Sequence, residues 1–317
     1  MDAIKRVSRF ARTPVLGATG RPIVPIMTER QKSLLSFLER NRYATFDDMH
    51  AFIQGDATAL RRNIRILKAD NVAYIKVCDQ HVEERNLRRK VVYELDKNGI
   101  THLRNNGSLI PDRKYTRNFT HAALASHATG SIEAGVAATP NARLITWAEI
   151  LQSQAMPAAT KKKDHPNGIP ASYQFDGEIF EKTVFADSRP FGIELISDGR
   201  KKFRFFPGIE ADAGTEPIAT TNFDRTSLFS KFKAYLAIEA DETHRSHFGF
   251  PIFFVPFLFS LGNEQRVISA KAELDRMTHG AGSKSILFKA ARKGAPQGYL
   301  FNEPWERVGY DAIVFSK

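Results

Sequence analysis

Residues 184–216 read VFADSRPFGIELISDGRKKFRFFPGIEADAGTE. Two β-rich runs, 190–196 and 202–211, flank Asp198-Gly199, a dipeptide suited to a two-residue type I′ turn. Such a turn fixes the register, so opposed residue numbers sum to 397 and Asp187 is expected opposite Glu210. Side chains alternate along a strand, which puts Asp212 on the face of Glu210. Three carboxylates thus gather at the open end of the hairpin, beside strands rich in Phe and Ile. Like charges placed opposite one another repel, and a divalent cation is the natural compensation. The same acids also read as solvated strand-end residues. Pro207-Gly208 can bulge the second strand and slip the register by one, which would break the Asp187–Glu210 pairing.

An Asp at the head of one strand, with Glu-x-(Lys or acid) on the next, is the hairpin of the PD-(D/E)xK nuclease fold. ADSRPFGIEL at 186–195, followed by FFPGIEADAGTEPI at 205–218, resembles the replication-relaxation family of plasmid and mobile-element proteins. That family joins a winged helix to a restriction-endonuclease-like domain. It is related to plasmid mobilisation relaxases that lack the nucleophilic tyrosine. The resemblance runs from about residue 28 to residue 277, and its sharpest motif is Glu210-Ala-Asp212-Ala-Gly-Thr215-Glu216. Ala186 replaces the proline of the nominal Pro-Asp, and Asp212 stands where the nuclease lysine would be.

The resemblance implies an α/β (α+β) chain with a winged helix-turn-helix at 28–105 and a mixed-sheet nuclease-like domain at 106–317. It implies Mg²⁺ (or Mn²⁺) on Asp187 and Glu210, with Asp212 a third ligand or water-orienting base. The first core helix of that fold often lends an acid, and Glu133 is the candidate. The helix after the hairpin packs near the acids, so Lys231 is the choice for the displaced catalytic cation. Double-stranded DNA at a plasmid or mobile-element origin is the implied partner, with other mobilisation or replication proteins. A homodimer is left open. The alternative is a DNA-binding replication or transcription regulator that keeps the nuclease fold without its chemistry.

Composition agrees with a two-domain globular protein. The 317 residues are 42% hydrophobic and 26% charged, ordinary values that allow real cores. The densest apolar stretch, 248–261, is too short for a membrane span and holds two prolines. Lys5, Arg6, Arg9 and Arg12 precede no apolar run with a cleavage site, so secretion is not expected. A lone cysteine, Cys78, excludes an internal disulfide and any multi-cysteine zinc site, and fits a reducing cytoplasm. The net charge of +11 is uneven: residues 1–118 carry +10 and the remainder +1. A polyanion-binding module on a nearly neutral body follows.

The chain in order fits that division. Residues 1–27, with Pro14, Pro22 and Pro25, read as a basic arm. Thr28-Glu-Arg-Gln31 is a capping box ahead of Leu34, Leu35 and Leu38. Thr45 caps a second helix with Phe46, Met49 and Ile53 inward. Asp56 caps a third, whose stripe is Leu60, Ile64 and Leu67 and whose other face shows Thr58, Arg61, Arg62, Arg65 and Lys68. Strands at 72–77 and 90–95 follow, with Arg85, Arg88, Arg89 and Lys90 on the intervening wing. This resembles a winged helix-turn-helix, whose third helix would read the major groove while the wing meets backbone or minor groove. A solvated charged face is the plainer reading of the same residues.

Past a loose stretch near 105–110, a helix at 121–137 buries Leu124, Ala128, Ile132 and Val136. Glu133 lies about 100° from Ile132, at the edge of that stripe. His121 suits a capping or core role. Residues 144–151 read as a strand entering a turn, 153–172 as a loop and 173–180 as a strand. Asp224 caps a helix on which Lys231, between Leu228 and Tyr235, faces inward. A lone buried ammonium is costly, so Lys231 needs a partner there. Residues 251–261 read as a doubly covered strand, 267–278 as a helix with Arg266 just before it, and 298–316 as a closing strand pair. His244 and His247 have no third ligand in view and read as solvated. Walker A, GxGxxG, GxSxG and the three-histidine relaxase motif are all absent.

Overall fold

The computed structural model describes residues 27–70, 72–79, 90–107, 119–197, 199–218 and 227–317. The chain is mixed α/β. It begins with α1 (Glu29–Asn41), β1 (Ala44–Thr45), α2 (Phe46–Ile53), α3 (Ala57–Leu67), β2 (Ile75–Val77) and β3 (Val92–Leu95), the strands ordered β1-β3-β2 in one antiparallel sheet. Capping sets the helix starts. Thr28 and Gln31 close a reciprocal box on α1, and Thr45 with Asp48 does the same on α2. Asp56 accepts from Ala59 N–H at 2.6 Å to start α3. Leu34, Leu35, Leu38, Met49, Leu60, Ile64 and Leu67 form one buried cluster beneath these elements. A helix at Lys97–Asn105 (α4) follows and ends where the loose stretch was expected to begin.

The second part begins with α5 (Phe119–Ala137), β4 (Ala142–Ile145) and α6 (Trp147–Gln152). The expected strand at 144–151 is therefore cut short, because Thr146 and Glu149 form a capping box that turns the chain into a helix. After α7 (Ala158–Lys161) come β5 (Ile169–Phe175) and β6 (Glu178–Val184), paired antiparallel about Asp176-Gly177. The single strand expected at 173–180 is corrected to this hairpin.

Next are β7 (Phe191–Ser197) and β8 (Arg200–Phe206), whose pairs run from Ser197↔Arg200 to Phe191↔Phe206. The ladder stops at Pro207-Gly208. Beyond it, β9 (Glu210–Asp212) leaves the hairpin and pairs parallel with β10 (Val255–Phe259), Glu210 beside Phe257. Between them in the chain lie α8 (Leu228–Ala240) and α9 (Thr243–Phe248). α10 (Glu264–Met277), β11 (Ile286–Ala290) and α11 (Tyr299–Asn302) complete the chain. The closing strand pair expected at 298–316 is α11 followed by isolated bridges at Trp305↔Ile313 and Phe288↔Glu306.

β4-β7-β8 and β11-β10-β9 are joined by a parallel bridge, Phe205↔Phe253. Both faces of this surface are covered. Phe205, Phe257 and Phe259 point to a core shared with Leu228, Phe232 and Tyr235 of α8 and Leu274 of α10. Phe206 and Leu258 point to the other, shared with Ala128, Ile132 and Val136 of α5 and with Trp305. The alternation is that of a strand buried on both sides, each such side chain contributing roughly 1.5–3 kcal/mol.

α5 is the spine between the two parts. Its buried set is rich in Ala, Ser and Gly, and these small residues let neighbours approach on more than the one expected stripe. Phe37 of α1 packs on Gly130 and Phe301 on Gly135, where an added Cβ would come within 2.6 Å of Phe301 Cβ. No described helix is long and apolar enough to cross a membrane.

Candidate functional site

The break after β8 builds the site. Gly208 adopts φ +140°, a conformation open to glycine, and passes over the backbone of Ser188. Ser188 N–H donates to Ile209 O at 3.2 Å, and Ile209 N–H donates to Ser188 Oγ at 2.8 Å. Ala211 N–H then donates to Asp187 Oδ2 at 2.8 Å. Asp187 is thus held against β9 by its own carboxylate rather than by a continued ladder. The expected cross-strand pairing is corrected to this side-chain contact.

Lys231 of α8 lies against these acids. Its Nζ is 2.9 Å from Glu210 Oε2, 3.3 Å from Glu216 Oε2 and 4.0 Å from Asp187 Oδ2. The helical spacing that turns Leu228 and Tyr235 inward carries Lys231 with them. Tyr235 O–H donates to Glu210 Oε1 at 2.6 Å, so Glu210 is gripped from two turns of one helix. Lys182 of β6 donates to Ser230 O at 3.0 Å nearby, and burial pulls its ammonium down despite the charge of Glu210.

Electrostatics is strained in a defined direction. Burial, then the charge of Glu210, pushes the Asp187 carboxyl up to about 7, against the pull of Lys231. Burial opposes the Lys231 ammonium, but Glu210, Asp187 and Glu216 outweigh it and raise its value above that of an ordinary lysine. Burial and Glu210 hold the Tyr235 phenol well above its usual value. One ammonium faces three carboxylates.

Asp212 does not join them. Arg266, at the start of α10, donates from Nε to both Asp212 oxygens at 2.9 Å, and its Nη2 also binds the Glu216 carbonyl. Gly214 N–H donates to Asp212 Oδ1 at 2.6 Å. Asp212 therefore folds the 212–216 turn, correcting its reading as a metal ligand or base. The third acid is Glu216, which that turn delivers to Lys231. It stands inside the quoted motif, but nothing in a linear spacing says that Arg266 would take the other acid.

Glu133 is also corrected. It is buried on α5 with its carboxylate on Arg40 Nε at 3.0 Å and Asn41 Nδ2 at 2.9 Å, both from α1. Those partners satisfy its carboxylate, and the acids on Lys231 are Asp187, Glu210 and Glu216. His121 Nε2 lies 3.0 Å from Thr215 Oγ1, on the same turn as Glu216. His244 and His247, read as solvated, are buried on the carbonyls of Ile238, Pro251 and Pro166. Burial brings His247 down to about 4, so it is a neutral core residue.

The acids here offer carboxylate oxygens, the donor type that a hard divalent cation takes. Glu210 Oε2 and Glu216 Oε2 are buried and face the Lys231 ammonium at 2.9 and 3.3 Å. Among the described residues no group of three or more His, Cys, Asp or Glu is already spaced as a metal cage. Mg²⁺ does not require one, since it keeps several waters and takes only one or two carboxylates.

On α3, Thr58, Arg61, Arg62, Arg65 and Lys68 are all exposed along one face, opposite buried Leu60, Ile64 and Leu67. Arg61 rests over the Phe46 ring at 4.8 Å. Lys90 is ion-paired with Asp47 of α2 at the exposed surface. Arg85, Arg88, Arg89 and Asp224 lie outside the described residues. Comparison with protein-family models, with curated proteins and with solved structures finds no match for the chain.

Proposed function

We propose that the protein binds duplex DNA through its N-terminal part and nicks or cleaves it, with Mg²⁺ or Mn²⁺, at the Asp187–Glu210–Lys231 site. The observation that carries this reading is a buried lysine surrounded by carboxylates at the break between an antiparallel hairpin and a parallel strand. The order helix, strand, hairpin, helix, parallel strand supports a restriction-endonuclease-like core. The sheet β1-β3-β2 behind three capped helices supports a winged helix with α3 as its reading helix. The setting implied by the resemblance is replication or mobilisation of a plasmid or integrated element.

Bound at Asp187 and Glu210, the cation supplies charge neutralisation at the scissile phosphate and a more acidic water. The chain's own residues do the rest. Tyr235 fixes the rotamer of Glu210 by occupying Oε1, which leaves Oε2 facing Lys231. Lys231 offers an ammonium where negative charge builds on the phosphate during attack. Asp187, whose carboxyl burial and the charge of Glu210 push up to about 7, would be deprotonated when it holds the cation.

A second reading, a regulator on a non-catalytic platform, is favoured by Asp212: it stands at the motif-lysine position and is tied to Arg266. Both readings place duplex affinity on α3. Fluorescence anisotropy against salt is expected to show a slope in log K that flattens by roughly 0.9 for each phosphate-contacting arginine removed from the set Arg61, Arg62 and Arg65. Asp187→Ala should leave affinity unchanged. An unaltered slope in the triple arginine variant would make this part a protein-docking module instead.

A further inference from the structure

Asp187 is followed by Ser188 and Arg189, and Arg189 leaves its own domain. Its Nη1 donates to Glu39 Oε1 of α1 at 2.7 Å, with only 13% and 5% of the two side chains exposed. The neighbouring residues of α1, Arg40 and Asn41, bind Glu133 of α5. Asp48 of α2 binds His127 of α5 at 2.9 Å. The helix that opens the N-terminal part therefore touches the Asp187 turn directly, through a buried charge pair. A cavity of about 290 Å³ lies beside these pairs, lined by Glu39, Arg40, Glu133 and Arg189 among others.

We infer that Arg189 is a positioning residue: anchored on Glu39, it lets the DNA-reading part hold the Asp187 turn against β9, so the site is set by the interface between the two parts.

The physical reason lies in what each end of the turn is fixed to. On the β9 side the turn has the Ser188 and Asp187 hydrogen bonds with the backbone of Ile209 and Ala211. On the other side it has Arg189. Separating a buried guanidinium from its carboxylate is costly in low dielectric, so a fixed Glu39 holds Arg189 in place. α1 is fixed in turn by its packing on α5. The adjoining cavity gives the turn room to shift once the anchor is gone, so the loss is local. The consequence for function is a fixed spacing between the bases met by α3 and the phosphate met by Lys231. This last step rests on the proposed nuclease reading; the positioning of the turn does not.

Amide hydrogen exchange on the full chain, with no metal and no DNA, tests the positioning. The probes are the amides of Ile209 and Ala211, against the amides of the β7–β8 ladder as an internal standard. Arg189→Met and Glu39→Leu each remove one member of a buried charge pair and can lower global stability. The double variant Glu39→Leu/Arg189→Met removes both charges and keeps an apolar contact, which is commonly neutral for stability. In the double variant, exchange at Ile209 and Ala211 is expected to rise about tenfold or more while the ladder changes less than about twofold, the signature of local opening. Arg189→Lys should return most of the protection. Wild-type rates at Ile209 and Ala211 in the double variant, or an equal acceleration at every amide, would overturn the inference. A chain that never cuts DNA can still pass this test, and a chain that cuts can fail it.

Discussion

Replacing Lys231 by methionine is expected to cost about 3–5 kcal/mol at pH 8, because it leaves buried carboxylates without their cation. The loss should shrink toward pH 4. Asp187 ionises near 7 in the folded chain against 3.8 as a free side chain. The folded state therefore binds more protons than the unfolded state between those values. The stability this confers is complete below about 4 and is lost as pH rises through about 7. Lys231 works in the other range: its raised ammonium value gives stability at every pH below that of an ordinary lysine. Without it, acid can still neutralise the cluster by protonation, but alkali cannot. Urea denaturation at the two pH values measures the difference, and added Mn²⁺ should restore part of the loss at pH 8 by binding only the folded chain. A loss below about 1 kcal/mol at both pH values would mean that Lys231 merely runs its ammonium along the helix side to water.

Gly208→Ala is the second large effect. A Cβ there would fall 2.5 Å from the Ser188 carbonyl oxygen and 2.6 Å from Ala186 Cβ, at a backbone φ of +140°. Both contacts are with the segment that carries Asp187, and neither is the far end of a flexible side chain. About 3 kcal/mol or more is expected from clash and backbone strain together, with Asp187 driven off β9. Gly199→Ala is the control. Its φ is also positive, +69°, but nothing lies within 4 Å of the added methyl, so about 1 kcal/mol is expected. Thermal denaturation of the two variants separates them. Equal losses would show that Gly208 matters only for its own torsion and not for holding the two segments together.

Much of this was legible in the sequence, and for physical reasons. A two-residue turn pins a register, so the β7–β8 pairs follow from Asp198-Gly199. Helical periodicity turns Lys231 inward with Leu228 and Tyr235. Short-range caps such as Thr28 with Gln31 are local chemistry and appear where the sequence puts them. The β5–β6 hairpin carried the same signal, Asp176-Gly177 between β-rich runs, and could have been read from it. The rest depends on contacts between residues far apart in the chain. Asp212 meets Arg266 from 54 residues away, and Glu133 meets Arg40 from 93. An acid's spacing within a strand does not say which cation will claim it. Burial all round α5 was hidden because Ala, Gly and Ser carry little hydrophobic signal while allowing the closest packing.

The most direct measurement is scission of a supercoiled plasmid carrying a duplex site selected for binding, with Mg²⁺ and with EDTA, by wild type and by Asp187→Ala, Glu210→Ala and Asp212→Asn. The expected result is Mg²⁺-dependent conversion to open-circular or linear DNA by wild type. Asp187→Ala and Glu210→Ala should slow it by about a hundredfold or more while binding the site as tightly. Asp212→Asn should act mainly by loosening the turn that carries Glu216. Conversion that persists in both Asp187→Ala and Glu210→Ala, or that ignores EDTA, would contradict a metal-dependent site at these acids. Tight binding with no conversion by wild type would leave a regulator on a nuclease-like platform.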